Sequence, residues 1–226
     1  DQALKANFAW SVVESLTTEV GSRPAGTAAD RAAVAWAQAK LRELGFANVR
    51  TQEVIVPQWV RGAAEFSVLA PFPQIMPSIA LGGSAGTPDA GLTAEIVMAT
   101  DVPTLLAMPS RAVEGKIVFL STRMQRARDG SGYRIAVKSR GEGPSAAASL
   151  GAIGLVIRSI GTDQNRIPHT GTLSYTIQQP RIPALAISNP DADSLERMLA
   201  GGRKVTVLMK NTSRDLPQTR SANVIG

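Results

Sequence analysis

The spacing of apolar and polar positions changes character twice along this chain. Between residues 6 and 20, Phe8, Val12, Val13, Leu16 and Val20 recur at helical intervals and Gly21 follows, which predicts an amphipathic helix with a stop. A second helix is expected over 28–44. Thr27 stands before it with Asp30 three residues later, as in a capping box, and Ala33, Val34, Ala37, Leu41 and Leu44 form one face before Gly45. "NVRTQEVIVP" then supplies strand formers at Val49, Thr51, Val54 and Val56. Helix, helix and strand describe the edge of an α/β layer with little sheet of its own to cover.

From Arg61 the texture is different. Pro71, Pro73, Pro77 and Pro88 and the glycine-rich "ALGGSAGTP" cut the chain into short pieces, and strands are expected at "AEIVMA" and "GKIVFL". In "GPSAAASLGAIGLVIRSIG" a small-residue helix leads through Gly151 and Gly154 into the strand Leu155, Val156, Ile157, and those glycines are expected to let helix and strand backbones approach. "RIPALAIS" reads as another strand. Asn189 is expected to cap a helix with Pro190 at its first position and Leu195, Met198 and Leu199 on its face, and "KVTVLMK" closes the module near Lys210.

The expected organisation follows. Residues 1–60 form an outer edge of two helices and a strand, 61–213 a second module, and 214–226 a linker, "TSRDLPQTR", followed by a strand beginning at Asn223. The module thus reads as an insertion in another domain, which is tolerated when the ends of the inserted unit lie close together. In the final "RSANVIG", Asn223, Val224 and Ile225 begin an apolar run with Gly226 behind it, where a solvated tail is normally polar, so the outer domain is expected to continue beyond it.

Composition narrows the classes. With 226 residues, 44% hydrophobic and 19% charged, the chain can bury a sizeable core. No apolar stretch reaches the ~18 residues of a membrane span, and "DQALKANFAW" lacks the sections of a signal peptide; the protein either stays inside the cell or has lost an export signal. The absence of cysteine excludes disulfide scaffolds, thiolate zinc sites and cysteine nucleophiles. A formal charge of +6 favours anionic partners, yet aromatic residues are only 4% and no basic helix carries reading residues, so nucleic acid is not an expected partner.

Little chemistry can be assembled from these residues alone. A catalytic zinc site needs about three ligands from His, Cys, Asp and Glu, and the chain has one His. The densest acids, in "DADSLE", suit a helix N-terminus. His169, in "RIPHTGTLSY", is the sole imidazole; with no G-x-S-x-G elbow in the chain, a loop or interface role is favoured over a catalytic base. "GSRPAGT" matches no phosphate-binding fingerprint and reads as a helix connection. The basic stretch Arg123, Arg126, Arg128, Arg134, Lys138 and Arg140 either binds carboxylates bidentately or is a solvated surface, and the glycines of "RDGSGYR" favour the latter. The "NTS" sequon at Asn211 reads as a chance triplet.

Several of these segments carry a family resemblance that spans nearly the whole chain. "GSRPAGTAADRAAVAWAQAKLRELGFANVRTQEV" resembles the N-terminal helices and strand of the co-catalytic zinc exopeptidases, the aminopeptidase and plasma glutamate carboxypeptidase group. The middle, with "GKIVFL", "AAASLGAIGLVIRSIG" and "IPALAIS", resembles the protease-associated domain inserted in many of them, and "VIRSIGTDQNRIPHTGTLSY" looks like the carboxypeptidase Q-like subgroup.

The resemblance implies a mixed α/β fold: a protease-associated β module with flanking helices, inserted in an incomplete three-layer α/β zinc-peptidase domain. It implies that the ligands of two zinc ions and the general base follow a strand similar to "SANVIG", so no catalytic or metal residue is expected in this chain. His169, Thr170, Gly171 and Arg158 are the expected substrate- or partner-facing residues. The parent would hydrolyse dipeptides or short peptides and be exported to the periplasm or medium, and the chain itself would be inactive and self-associate, as a homodimer for instance. The alternative is a free-standing protein- or peptide-binding module.

Overall fold

Thr27 shows how closely local chemistry sets the elements here. Its hydroxyl accepts the Asp30 backbone N–H while the Asp30 carboxylate accepts the N–H of Gly26, so the second helix, α2 (Ala28–Glu43), starts on a reciprocal cap. The computed structural model describes residues 6–226; the first five residues of the expected edge segment 1–60 lie outside the described residues. Helix α1 (Phe8–Ser15) precedes α2 and continues as a π-helical turn, Leu16–Val20, that Gly21 closes. Strand β1 (Arg50–Val60) follows and pairs with the last strand, β10 (Arg214–Ile225), in a two-stranded sheet.

The expected linker is therefore strand. β10 begins at Arg214 rather than Asn223, and its polar, proline-containing sequence hid it, because a two-stranded ribbon is all edge and an edge tolerates Pro217.

The chain divides into two units. One comprises the described residues up to Trp59 together with Asp215–Gly226, and the other Val60–Arg214. In the first, Gly26 is the only described residue classed as buried, while Phe8, Trp10, Val13, Phe46 and Ile55 are each more than half exposed. That unit has apolar faces without a core between them.

The second unit is built on an eight-stranded mixed sheet in the order β3-β2-β9-β5-β6-β7-β8-β4. Its strands are β2 (Ala64–Ala70), β3 (Gln74–Met76), β4 (Ser78–Ala80), β5 (Leu92–Ala99), β6 (Ile117–Leu120), β7 (Gly154–Arg158), β8 (Ala184–Ile187) and β9 (Thr206–Asn211). β5 to β8 run parallel, and the outer pairings β3-β2, β2-β9, β9-β5 and β8-β4 are antiparallel. Every residue of β6, β7 and β8 is buried, as expected of parallel strands covered on both faces.

On one face Val118, Leu120, Leu155, Ile157, Ala184 and Ala186 pack with Val102 and Leu105 of α3 (Val102–Leu106), Ala136 of α4 (Ser131–Ala136) and Ala147 and Ala148 of α6 (Gly143–Ser149), with α5 (Lys138–Gly141) between the last two helices. The alternating residues Ile117, Phe119, Val156, Leu185 and Ile187 are buried on the other. Close approach of helix to sheet is made at Gly143 rather than at Gly151 or Gly154: a Cβ on Gly143 would lie 2.8 Å from Leu120 Cδ1. Gly151 serves a turn at φ 82°, and Gly154 makes room for the Met209 sulfur.

Helix α7 (Asn189–Leu199) is capped one residue earlier than expected. The Ser188 hydroxyl accepts the Asp191 N–H, which releases the Asn189 side chain for another task.

Candidate functional site

Because β6, β7 and β8 are parallel, the segments leaving their carboxyl ends converge. Arg158, the last residue of β7, lies between them with 2% of its surface exposed. Its Nε donates to the Ser121 carbonyl at 3.0 Å, after β6, and its Nη1 to the Asn189 carbonyl at 3.1 Å, after β8. Nη1 also donates to Asp193 Oδ1 at 2.6 Å, and Nη2 lies 2.9 Å from Glu196 Oε2 without the alignment of a hydrogen bond. One buried guanidinium thus ties three strand exits together, and two carboxylates compensate its charge.

Asp193 and Glu196 stand three apart on α7 and so share a face. A second arginine reaches them from outside: Arg123 Nη2 donates to Asp193 Oδ1 and to Glu196 Oε2. Burial works against ionisation of Asp193, but hydrogen bonds from Arg158 and Arg123 outweigh it and hold the carboxyl below its ordinary range. Burial likewise disfavours charged Arg123, and the same two acids reverse the balance and raise it.

The Arg123–Arg140 stretch is therefore not merely a solvated surface. Arg123 closes this network, and Arg140 donates to the Tyr133 hydroxyl at 2.9 Å. Nor are the acids of "DADSLE" only complements to a helix N-terminus, since the buried Asp191 is engaged by Arg166 through Nε and Nη2.

The segment His169, Thr170, Gly171 lies in the long connection between β7 and β8, and its contacts fasten that connection down. The His169 backbone N–H donates to Ser159 Oγ at 2.7 Å, and the imidazole Nε2 is 3.3 Å from Asp163 Oδ1. The Thr170 hydroxyl donates to the Ala80 carbonyl and accepts from Arg61 Nη1. Gly171 accepts the Gly82 N–H at 2.8 Å, and a Cβ on it would fall 2.2 Å from Arg140 Nη1. His169 keeps 42% of its side chain exposed.

Arg158 and the His169 loop meet through Asn189, whose Nδ2 donates to the Gly161 and Asp163 carbonyls. The result is a cleft of about 310 Å3 at the strand ends, lined by Arg123, Arg126, Arg158, Gly161, Thr162 and Asn189, among others. Sequence reasoning singled out Arg158 but not its partners. The available signal was the Asp193, Glu196 spacing on a predicted helix face.

Among the described residues no group of three or more His, Cys, Asp and Glu side chains could hold a metal ion. The described residues therefore do not fit a zinc centre. No helix among the described residues is long and apolar enough to cross a membrane.

No protein-family profile matches the chain. It is 32% identical over 219 residues to bovine (Bos taurus) carboxypeptidase Q and 30% identical over 219 residues to the human (Homo sapiens) protein, in each case across 97% of this chain and 45% of the relative. A solved structure of a peptidase M28 precursor from Shewanella amazonensis superposes with a TM-score of 0.92 at 44% identity, over 97% of this chain and 50% of that one. The chain belongs to the co-catalytic zinc exopeptidases, in their carboxypeptidase Q-like group.

It spans less than half the length of its curated carboxypeptidase Q relatives. A zinc aminopeptidase from Bacillus subtilis, at 22% identity over 96% of this chain and 45% of that one with a TM-score of 0.64, shares the fold.

Proposed function

We propose that this chain is the non-catalytic N-terminal and protease-associated portion of a zinc-dependent exopeptidase that hydrolyses dipeptides or short peptides. Supporting this reading above all is the alignment of 97% of the chain with 45% of carboxypeptidase Q. The first unit agrees with it: helices and strands that expose Phe8, Trp10 and Phe46 around no buried side chain are what an edge of a larger α/β domain looks like on its own. In this reading Val60–Arg214 is the protease-associated domain, two zinc ions and their ligands belong to the remainder of the parent, and the parent is exported.

The experiment is a comparison of dipeptide hydrolysis by the parent protein and by the homogeneous 226-residue chain, each with zinc. Hydrolysis by the parent and none by the chain is expected. Hydrolysis by the chain overturns the non-catalytic reading.

The uncovered faces carry a second consequence. Each large apolar side chain left in water forgoes about 1.5–3 kcal/mol of burial, so the isolated chain self-associates through them. Sedimentation showing a monomer at all concentrations, with α1 and α2 as protected from hydrogen exchange as β6 to β8, contradicts that.

One observation favours the binding-module reading as the alternative: the second unit has an extensive core of its own, from Phe66 to Met209.

A further inference from the structure

The cleft at the carboxyl ends of β6, β7 and β8 has a position, a charge and a supply of donors that together specify a ligand. In open sheets with parallel strands, ligands sit outside the carboxyl ends of the strands, and three of four parallel strands end here. The pairing is uneven: Arg123, Arg126 and Arg158 all line the cleft, but only Arg123 and Arg158 are paired with the carboxylates of Asp193 and Glu196, which leaves the Arg126 guanidinium without a counter-charge among the described residues. The nearby Asp163 carboxylate lies 3.3 Å from His169 Nε2 and, among the described residues, forms no ion pair with these arginines.

The donors are also unevenly used. Both acids take Arg123 through Nη2 alone, so its remaining N–H groups stay available, and among the described residues Arg126 forms no ion pair or hydrogen bond. Behind them Arg158, nine-tenths buried and more, holds an Nη2 with no aligned acceptor. The floor is built, since Arg158 is anchored on Ser121 and Asn189, and the rim is fixed by the Asn189 bonds to Gly161 and Asp163.

We propose that this cleft binds a carboxylate-bearing small molecule, such as a peptide C-terminus, through the free donors of Arg123 and Arg126, with Arg158 as the fixed charge behind them. A planar monoanion matches the guanidinium fork and the one unpaired guanidinium, that of Arg126. A phosphate dianion would bring excess negative charge beside two existing carboxylates. The inference concerns this chain's own residues and is read without zinc or activity, so its failure and that of the exopeptidase reading are separate events.

The test is an NMR titration of the 226-residue chain with N-acetylglycine, its neutral analogue N-acetylglycinamide and inorganic phosphate. Expected are saturable shifts of amides in 123–126 and 161–164 with N-acetylglycine, none with the amide, and weaker binding of phosphate. Arg126→Gln, at an exposed and unpaired position, should weaken binding about tenfold, the scale of one charge-assisted hydrogen bond. Arg134→Gln, outside the cleft, should leave it unchanged. Equal shifts with the amide, tighter binding of phosphate, no saturation, or an equal effect of both variants overturns the proposal.

Discussion

Arg158 Nη1 and Asp193 Oδ1 lie 2.6 Å apart, one on a side chain with 2% of its surface exposed and the other on a carboxylate that Arg123 also reaches. This contact joins the end of β7 to α7, and several expectations follow from its being buried on one side and open on the other.

Replacing Arg158 with Leu removes the cation that two carboxylates and two carbonyls were arranged around. Breaking a buried pair in this way costs about 3–5 kcal/mol, whereas Arg123→Ala, at a half-exposed position, costs about 1 kcal/mol or less. Hydrogen exchange of the β6 to β8 amides measures both. A small effect of Arg158→Leu would show that the network is dispensable for the fold.

Acid should release the same network. The Asp193 carboxyl is held below its ordinary range in the folded state, because hydrogen bonds from Arg158 and Arg123 overcome the cost of burial. A depressed folded value contributes stability that is complete above the unfolded value of about 3.9 and is lost as pH falls through the folded value. Urea midpoints should therefore be flat from about pH 6 to pH 5 and fall below about pH 4. Asp193→Asn should flatten that fall while lowering the midpoint at neutral pH.

Two glycines near the cleft should respond differently to alanine. A Cβ on Gly132 would lie 1.8 Å from the Gln125 backbone carbonyl oxygen, whereas one on Gly171 meets the movable end of Arg140. Gly132→Ala is expected to cost about 1–3 kcal/mol and to shift the 123–126 amides in an NMR spectrum. Gly171→Ala should cost less and leave those amides in place, with the change confined to Arg140 and Tyr133.

Asn211 is fully buried, with Nδ2 donating to Ser84 Oγ and the Ala85 carbonyl and Oδ1 accepting from Ser213. A folded chain has no exposed amide there for a glycan. Intact mass after expression in a glycosylating host should show position 211 unmodified, and Asn211→Ala should destabilise the second unit by about 2 kcal/mol or more, because it strands buried polar partners.

Legibility along the chain depended on whether the cause of an element was local. The α2 cap at Thr27 and Asp30, the buried strands β6 to β8 and the helix after β8 were readable because capping and apolar runs act within a few residues. β10 was not, because a polar strand with Pro217 is specified by its partner β1, far away in sequence. The cap fell at Ser188, one residue early, and the Asn189 side chain it frees is held by the carbonyls of Gly161 and Asp163, a contact no local rule contains. For the cleft, Arg158 and the His169 segment stood out in the sequence, but nothing local paired Arg158 with Asp193 and Glu196 or set Arg123 over them.

By itself the sequence determined the helical and strand periods, the absence of thiol chemistry, the single imidazole and the family resemblance, since each lies in residue type and short-range spacing. Only the tertiary structure decided which strands run parallel, that their carboxyl ends gather three arginines at one cleft with two of them paired to acids of α7, and that the outer unit shows apolar faces without a core. Those depend on burial and on contacts between residues tens of positions apart, where the low dielectric of the interior makes a charge acceptable only beside its partner.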